Sequence, residues 1–407
     1  MRISTSMLND SALNGILQDE SALSATQNRL SSGENINSPA DDPVGEVELL
    51  QLSSASSQYQ QYVANGQSAN TNLTLEESAL SSATTTLQSI RDLVVQANSG
   101  SNNASDLQAI GVQVQQLEQQ LLGVANSQNA TGQYLFAGYA DNSEPFARGA
   151  SGSVVYLGDA GSASVPLDGD TSVQTGDPGS AVFMNIPSGN GTFTTAASAS
   201  NTGTGVIDAG SVVDASQWAA AGGATAGPYT ITFTDPTDYQ VTNAAGTPVA
   251  SGTYDSSNGG SIDFDGIEVG ISGAPAAGDT FTVAASGTQS VFNTLDNLVS
   301  SLDSAGSSPA AQAQLSSALS GSLQQIDQAL NQVSNVTTSV GSRISLISSI
   351  NTSLSSQSTT VTTQISDLDS LNYASATSQY SQEYLALQAA EESYAQLGQL
   401  SLFNFLK

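Results

Sequence analysis

Both halves of the chain carry long uninterrupted heptads. From Leu319 the C-terminal half places Leu319, Ile326, Val333, Val340, Ile347, Leu354, Val361 and Leu368 at seven-residue intervals. The N-terminal half answers with Leu52, Tyr59, Gly66, Leu73, Leu80, Leu87 and Val94, accompanied by Ala55, Tyr62, Ala69, Ala83, Ile90 and Ala97. Repeats of this length describe helices that each bury one seam against another helix. Two ends that need each other, joined through a different kind of segment, predict a helical rod with an insertion.

The helix boundaries are written in local signals. Residues 1–38 hold Leu13, Ile16, Leu17, Leu23 and Leu30 and read as a first amphipathic helix ending near Gly33. In Ser38-Pro-Ala-Asp-Asp-Pro43, Asp42 suits an N-cap and Pro43 the first helical position, so a long helix is expected from about residue 43 to about 98. At 1.5 Å per residue that is roughly 80 Å. A return helix is expected over about 104–130, from the spacing of Leu107, Ile110, Val114, Leu117, Leu121 and Val124. Helical periodicity resumes at Val291 and continues in a long run over about 310–366. The last segment sets Tyr373, Tyr380, Leu387 and Tyr394 at heptad spacing, supported by Tyr384 and Leu397, with Leu402 and Phe403 beyond them. At such spacing the tyrosines read as an inter-helix seam rather than a binding stripe.

From about 146 to 285 the pattern becomes that of short strands, such as Tyr229-Thr-Ile-Thr-Phe-Thr234 and Ile267-Glu-Val-Gly-Ile271. Asp265-Gly266 marks a two-residue hairpin. The expected fold class is multidomain α+β: a long antiparallel helical bundle or coiled coil built from both ends, with an inserted all-β domain. The segments are 1–42 and 367–407 as terminal helices, 43–145 and 286–366 as the two parts of the rod, and 146–285 as the insertion. The two terminal segments pair beyond the end of the main bundle. Pattern alone leaves open whether they fold back on the monomer or pack with neighbouring subunits.

Composition narrows the function. Six bases against 36 acids give a net charge of −30, which argues against nucleic-acid binding and against an anionic membrane surface. Only 10% of residues are charged, so the polar helix faces are filled by Ser, Thr, Gln and Asn, which can pack against neighbours without burying ions. With no Cys and no His there is no thiolate nucleophile, no zinc–cysteine site and no imidazole base. Asp41 and Asp42, between prolines, read as helix-capping residues. Asp168-Gly-Asp170 lacks the ligand set of a calcium loop and reads as a turn. No catalytic, cofactor or metal site is expected. The opening Met-Arg-Ile-Ser-Thr has no apolar signal region, and no stretch approaches the ~20 apolar residues of a membrane span. Residues 151–290 hold thirteen acids and no base, which suits an outward, mutually repelling shell or simply solubility.

Several motifs together resemble a known family. Gln27-Asn-Arg-Leu-Ser-Ser-Gly-Glu-Asn-Ile-Asn37 is similar to the N-terminal signature of flagellin and its relatives. Ser38-Pro-Ala-Asp-Asp-Pro43, Thr131-Gly-Gln-Tyr-Leu-Phe-Ala-Gly138 with Pro145-Phe146, and Ser366-Asp-Leu-Asp-Ser-Leu-Asn-Tyr-Ala374 resemble the hook-associated protein 3 family. So do the opening five residues and the ending Leu400-Ser-Leu-Phe-Asn-Phe405. Gly266 to Thr282 looks like a module recurring in hook-associated proteins. The resemblance implies an extracellular structural subunit of the bacterial flagellum at the hook–filament junction. It implies self-assembly into a ring, contact with a neighbouring hook-associated protein and with flagellin, export by the flagellar type III route, and a cytosolic chaperone on the C-terminal helix. One departure stands out: the family's usual acidic residue before the C-terminal Tyr is Asn372 here, preceded by Leu371. Within the same structural class the alternative is a filament flagellin, against which Tyr134-Leu-Phe136 and Pro39/Pro43 speak; in a different class it is a secreted β-domain adhesin.

Overall fold

The computed structural model describes residues 5–150, 152–225 and 227–399. Among the described residues there are seven α-helices, three before and three after a stretch of short strands that holds the fourth: α1 Thr5–Ser32, α2 Pro43–Ala97, α3 Ala104–Ala125, α4 Ala215–Ala220, α5 Val291–Asp303, α6 Pro309–Asp369 and α7 Tyr373–Gln399. The chain divides into a terminal unit, Met1–Ala64 with Ser349–Lys407, and a central unit, Asn65–Ser348.

In the central unit the heptads are buried. Leu73, Leu80 and Leu87 of α2, and Leu319, Ile326, Val333, Val340 and Ile347 of α6, are essentially sealed from solvent. Arg91 pairs with Asp327 at 2.7 Å, and Ser316 hydrogen-bonds Asn98 at 2.9 Å, so the two helices run antiparallel there. The return helix α3 packs on α5 and starts at a capping box, in which the Asn103 side chain accepts from Ser105 and Asp106 amides while Asp106 accepts from Asn103. It ends at Ala125, five residues short of the expected 130. Asn126 stops it: its side-chain amide donates to Phe146 O at 2.8 Å and its carbonyl accepts Phe146 N at 3.0 Å. The buried stripe of α3 also differs from the expected one. Glu118 and Ala125 are buried where Leu117 and Val124 were expected, because Arg148 reaches Glu118 at 2.6 Å and holds that face inward.

After α3 the chain folds into the motif around Thr131–Gly138. Phe136, Phe146, Phe183 and Phe292 form a buried aromatic cluster, with Phe136–Phe183 and Phe146–Phe183 edge to face at 5.4 and 5.7 Å. Gly138, with φ +73°, lets the backbone pass against Asp159, whose carboxylate accepts the Tyr139 and Gly161 amides. Those amides hold the Asp159 carboxyl below its ordinary range.

The strands are β1 Phe146–Arg148, β2 Val154–Tyr156, β3 Ser164–Pro166, β4 Ser172–Gln174, β5 Ile186–Pro187, β6 Phe193–Ala197, β7 Val206–Ile207, β8 Ser211–Val212, β9 Tyr229–Asp235, β10 Asp238–Thr242, β11 Pro248–Thr253, β12 Gly260–Phe264, β13 Ile267–Ser272, β14 Thr280–Ala285 and β15 Thr288–Gln289. An antiparallel five-stranded sheet in the order β11-β10-β9-β14-β6 and a smaller sheet β12-β13-β7, with β8 also on β13, share one apolar core. That core runs from Phe193 to Val283 and includes Trp218, Tyr229, Ile231, Phe233 and Phe281. The hairpins β1–β2 and β3–β4 lie outside these sheets. Asp265 and Gly266 both have positive φ in the β12–β13 turn. Asp168 accepts the Asp170 and Thr171 amides in the turn of β3–β4.

Candidate assembly site

The terminal unit is built around a joint. α1 ends at Gly33, whose φ of +82° and N–H bond to Arg29 O are those of a left-handed C-cap. The connector that follows is stitched to the end of α6: Asn35 N donates to Asp369 O, Ile36 N to Asp369 Oδ1, and Leu371 N to Gly33 O, while Glu34 and Ser370 form a β-bridge. Ile36 is buried at this joint.

Asp42 Oδ1 accepts the Val44 and Gly45 amides at 3.1 and 3.0 Å, and Pro43 occupies the first helical position of α2. An N-cap of this kind stabilises a helix by about 1 kcal/mol. Asp41 turns the other way, accepting the Ser38 amide and hydroxyl and pairing with Arg29 at 3.4 Å. Desolvation raises the Asp41 pKa, but Ser38 and Arg29 outweigh it and hold the carboxyl below its ordinary range. On the opposite strand of the joint Asn372 caps α7, its side-chain oxygen accepting Ser375 N at 3.2 Å. Asn and Asp cap a helix about equally well, so the departure from an acidic residue leaves this contact intact.

α1 and α7 pack on each other. Their seam holds Ile16, Leu23 and Leu30 from α1 against Ala376, Tyr380, Leu387 and Tyr394 from α7; Thr26 and Ala376 are buried and the rest half-buried. Leu13, Leu17, Tyr373 and Tyr384 do not enter it. Leu17 and Tyr384 are each 54% exposed. Tyr384 is one helical turn past Tyr380, whereas the seam steps from Tyr380 to Leu387 by way of Glu383, so the fourth residue falls on the outer side. Tyr373 lies at the joint, where a Cβ on Gly33 would come 2.7 Å from its hydroxyl. Leu397 lies within α7, but its side chain falls outside the described residues, as do Leu402 and Phe403.

The outer faces carry more apolar surface than sequence periodicity assigned to them. Met7, Leu8 and Leu385 join Leu13, Leu17 and Tyr384 as exposed, and Val44, Val47 and Leu50 form a second exposed row at the start of α2. The three-residue spacing of Val44, Val47 and Leu50 was the available signal for that row. Of the 17 large apolar side chains exposed among the described residues, ten lie in the terminal unit, which holds under a third of the chain. Its charge is one-sided: residues 5–64 and 349–399 contain thirteen acids and a single base, Arg29, already paired with Asp41. Among the described residues no group of three or more acidic side chains is placed to hold a metal, and no helix is long and apolar enough to cross a membrane.

Paired terminal helices leading into long helices that flank a β insertion are the architecture of the flagellin-like axial proteins. The chain matches the bacterial flagellin N-terminal helical region over residues 3–141 and the bacterial flagellin C-terminal helical region over 323–406. Residues 196–285 match the D2-like domain of flagellar hook-associated protein 1. A crystal structure of FlgL from Xanthomonas campestris is 35% identical with a TM-score of 0.70, covering 77% of this chain and 98% of that one. A structure of flagellar hook associated protein-3 from Legionella pneumophila is 27% identical with a TM-score of 0.72, covering 78% and 98%. Flagellar hook-associated protein 3 of Salmonella typhimurium is 31% identical over 188 residues, 46% of this chain and 58% of that protein. The chain thus belongs to the hook-associated protein 3 family, with the Salmonella match spanning rather more than half of that relative's length.

Proposed function

We propose that this chain is a structural subunit of the bacterial flagellum that joins the hook-associated proteins to the flagellin filament. The observation that carries the reading is the concentration of exposed apolar side chains on the terminal helices. The exposed apolar side chains on α1, α7 and the start of α2 lose water only when another subunit covers them, and each Å² covered contributes about 25 cal/mol. The residues assigned to the contact are the outward Leu13, Leu17, Tyr373 and Tyr384, with the seam residues Ile16, Leu23, Leu30, Tyr380, Leu387 and Tyr394 holding the two helices as one element. Leu397, Leu402 and Phe403 extend the same assignment along the C-terminal segment.

The partners are further copies of the chain in a ring, a neighbouring hook-associated protein on one side, and flagellin on the other. Before assembly the apolar α7 segment is the site for a cytosolic export chaperone, and the assembled protein is extracellular, reached by the flagellar type III route. The role is structural rather than enzymatic. The hook-associated-protein type of insertion favours this reading over a filament flagellin and over an adhesin. Deleting the gene and imaging the cells by electron microscopy tests it: hooks without filaments and flagellin shed to the medium are expected, and normal attached filaments overturn it.

A further inference from the structure

The second apolar set of α2, Ala55, Tyr62, Ala69, Ala83, Ile90 and Ala97, skips one position, and that position is Glu76. The glutamate is 1% exposed and sits on the seam face between Leu73 and Leu80. Its Oε1 accepts the backbone N–H of Asp177 at 3.1 Å, whereas its buried Oε2 has no hydrogen-bond partner. The two charged groups acting on it are Asp177 and Arg343, and Arg343 is already engaged by the Asp177 carboxylate. A carboxylate there would be desolvated, beside another carboxylate, with the local guanidinium committed elsewhere.

Asp177 is the exit of the β3–β4 hairpin, which lies against the helices as a strap. Asn65 Nδ2 donates to Pro166 O at 3.0 Å from α2, Arg343 reaches Gln174 O from α6, and Leu167 and Val173 are buried beneath. We infer that Glu76 is a proton-operated latch: as a neutral acid it holds the Asp177 end of the strap on α2, and its ionisation releases that end to water. Burial first, and the Asp177 carboxylate second, raise its pKa to about 8, partly offset by Arg343 and by the Asp177 N–H bond that it accepts. With the strap open, the side chain regains an ordinary carboxylate value near 4.5. The closed strap therefore retains the proton where the open one loses it, and opening becomes easier with each pH unit between those values, then levels off.

Amide exchange of the full-length protein, read by mass spectrometry on peptides spanning 163–178 and corrected for base catalysis, tests this. Protection in the wild type should fall about tenfold per pH unit from about pH 5 to about pH 8 and flatten above. Glu76→Gln, close in shape and permanently neutral, should abolish the slope, and peptides from β9–β10 should show none in either protein. A flat wild-type profile, or an equal slope in Glu76→Gln, overturns the latch. A carbon NMR titration of the Glu76 carboxyl in the wild type gives a second reading independent of the variant: a midpoint near 4.5 overturns it as well.

Discussion

The central and terminal units follow the same heptad rule and satisfy it to different depths. In the central unit Leu73, Leu80, Ile326 and Val333 are fully sealed from solvent. In the terminal unit the equivalent positions Ile16, Leu23, Tyr380 and Leu387 are half-buried, and a second apolar row beside them faces water. A pair of helices has too little surface to bury two rows, and helices in proteins draw most of their stability from packing of an apolar face. Periodicity thus marks where a helix packs, while the number of partners decides how much of the apolar surface is covered. The uncovered part is the surface proposed for assembly.

Truncations should separate the two units most sharply. Leu80→Ala, in the sealed central seam, should cost about 3 kcal/mol of global stability, measured by chemical denaturation. Leu17→Ala, on the exposed row, should change it by less than about 0.5 kcal/mol. Equal losses would mean that the outer row is already covered in the monomer. Next in size, Gly33→Ala should destabilise the terminal joint by about 1–2 kcal/mol, because the new Cβ faces the Tyr373 hydroxyl and the φ of +82° disfavours any side chain. Exchange protection in α1 and α7 should fall while that of Leu73–Val94 is unchanged.

Electrostatics gives a smaller contrast. The four arginines of the described residues, Arg29, Arg91, Arg148 and Arg343, are all ion-paired within the chain, leaving little positive charge to meet a second copy. Self-association through the terminal unit should therefore strengthen as salt is raised and screens the acids. Weakening with salt in sedimentation measurements would point instead to ion-pair contacts. The central unit carries its own pH signature. Glu76 binds its proton up to about pH 8 when folded and only to about 4.5 when unfolded, so its contribution to stability is complete below the lower value, falls through the interval and is lost above the upper one. A melting series in that window should slope downward for the wild type and less so for Glu76→Gln.

What the sequence reveals follows from which interactions are local. The long helices were legible because a repeat of seven and a cap such as Asp42-Pro43 act within a few residues. The β12–β13 hairpin was legible in Asp265-Gly266 for the same reason. The end of α3 was not, since it is fixed by Asn126 reaching Phe146, and the choice of Glu118 over Leu117 as the buried residue depends on Arg148. Strand order β11-β10-β9-β14-β6 rests on pairings as distant as Phe281 with Ala197, which no local pattern encodes. For the proposed assembly site, periodicity marked apolar rows on α1 and α7 but could not say which half of each row the partner helix would take. Asp369, which ties the joint to Ile36, was visible only as part of the Ser366–Ala374 motif, with nothing local to give its role.

The most direct test of the central claim is a variant that alters only the outward row, Leu13→Ser, Leu17→Ser, Tyr384→Ser and Leu385→Ser together, introduced in place of the wild type. The purified monomer should keep the denaturation midpoint of its central unit and the packing of α1 on α7. Cells carrying it should show hooks without filaments by electron microscopy, with flagellin in the medium. Intact filaments on hooks containing this variant would contradict the account.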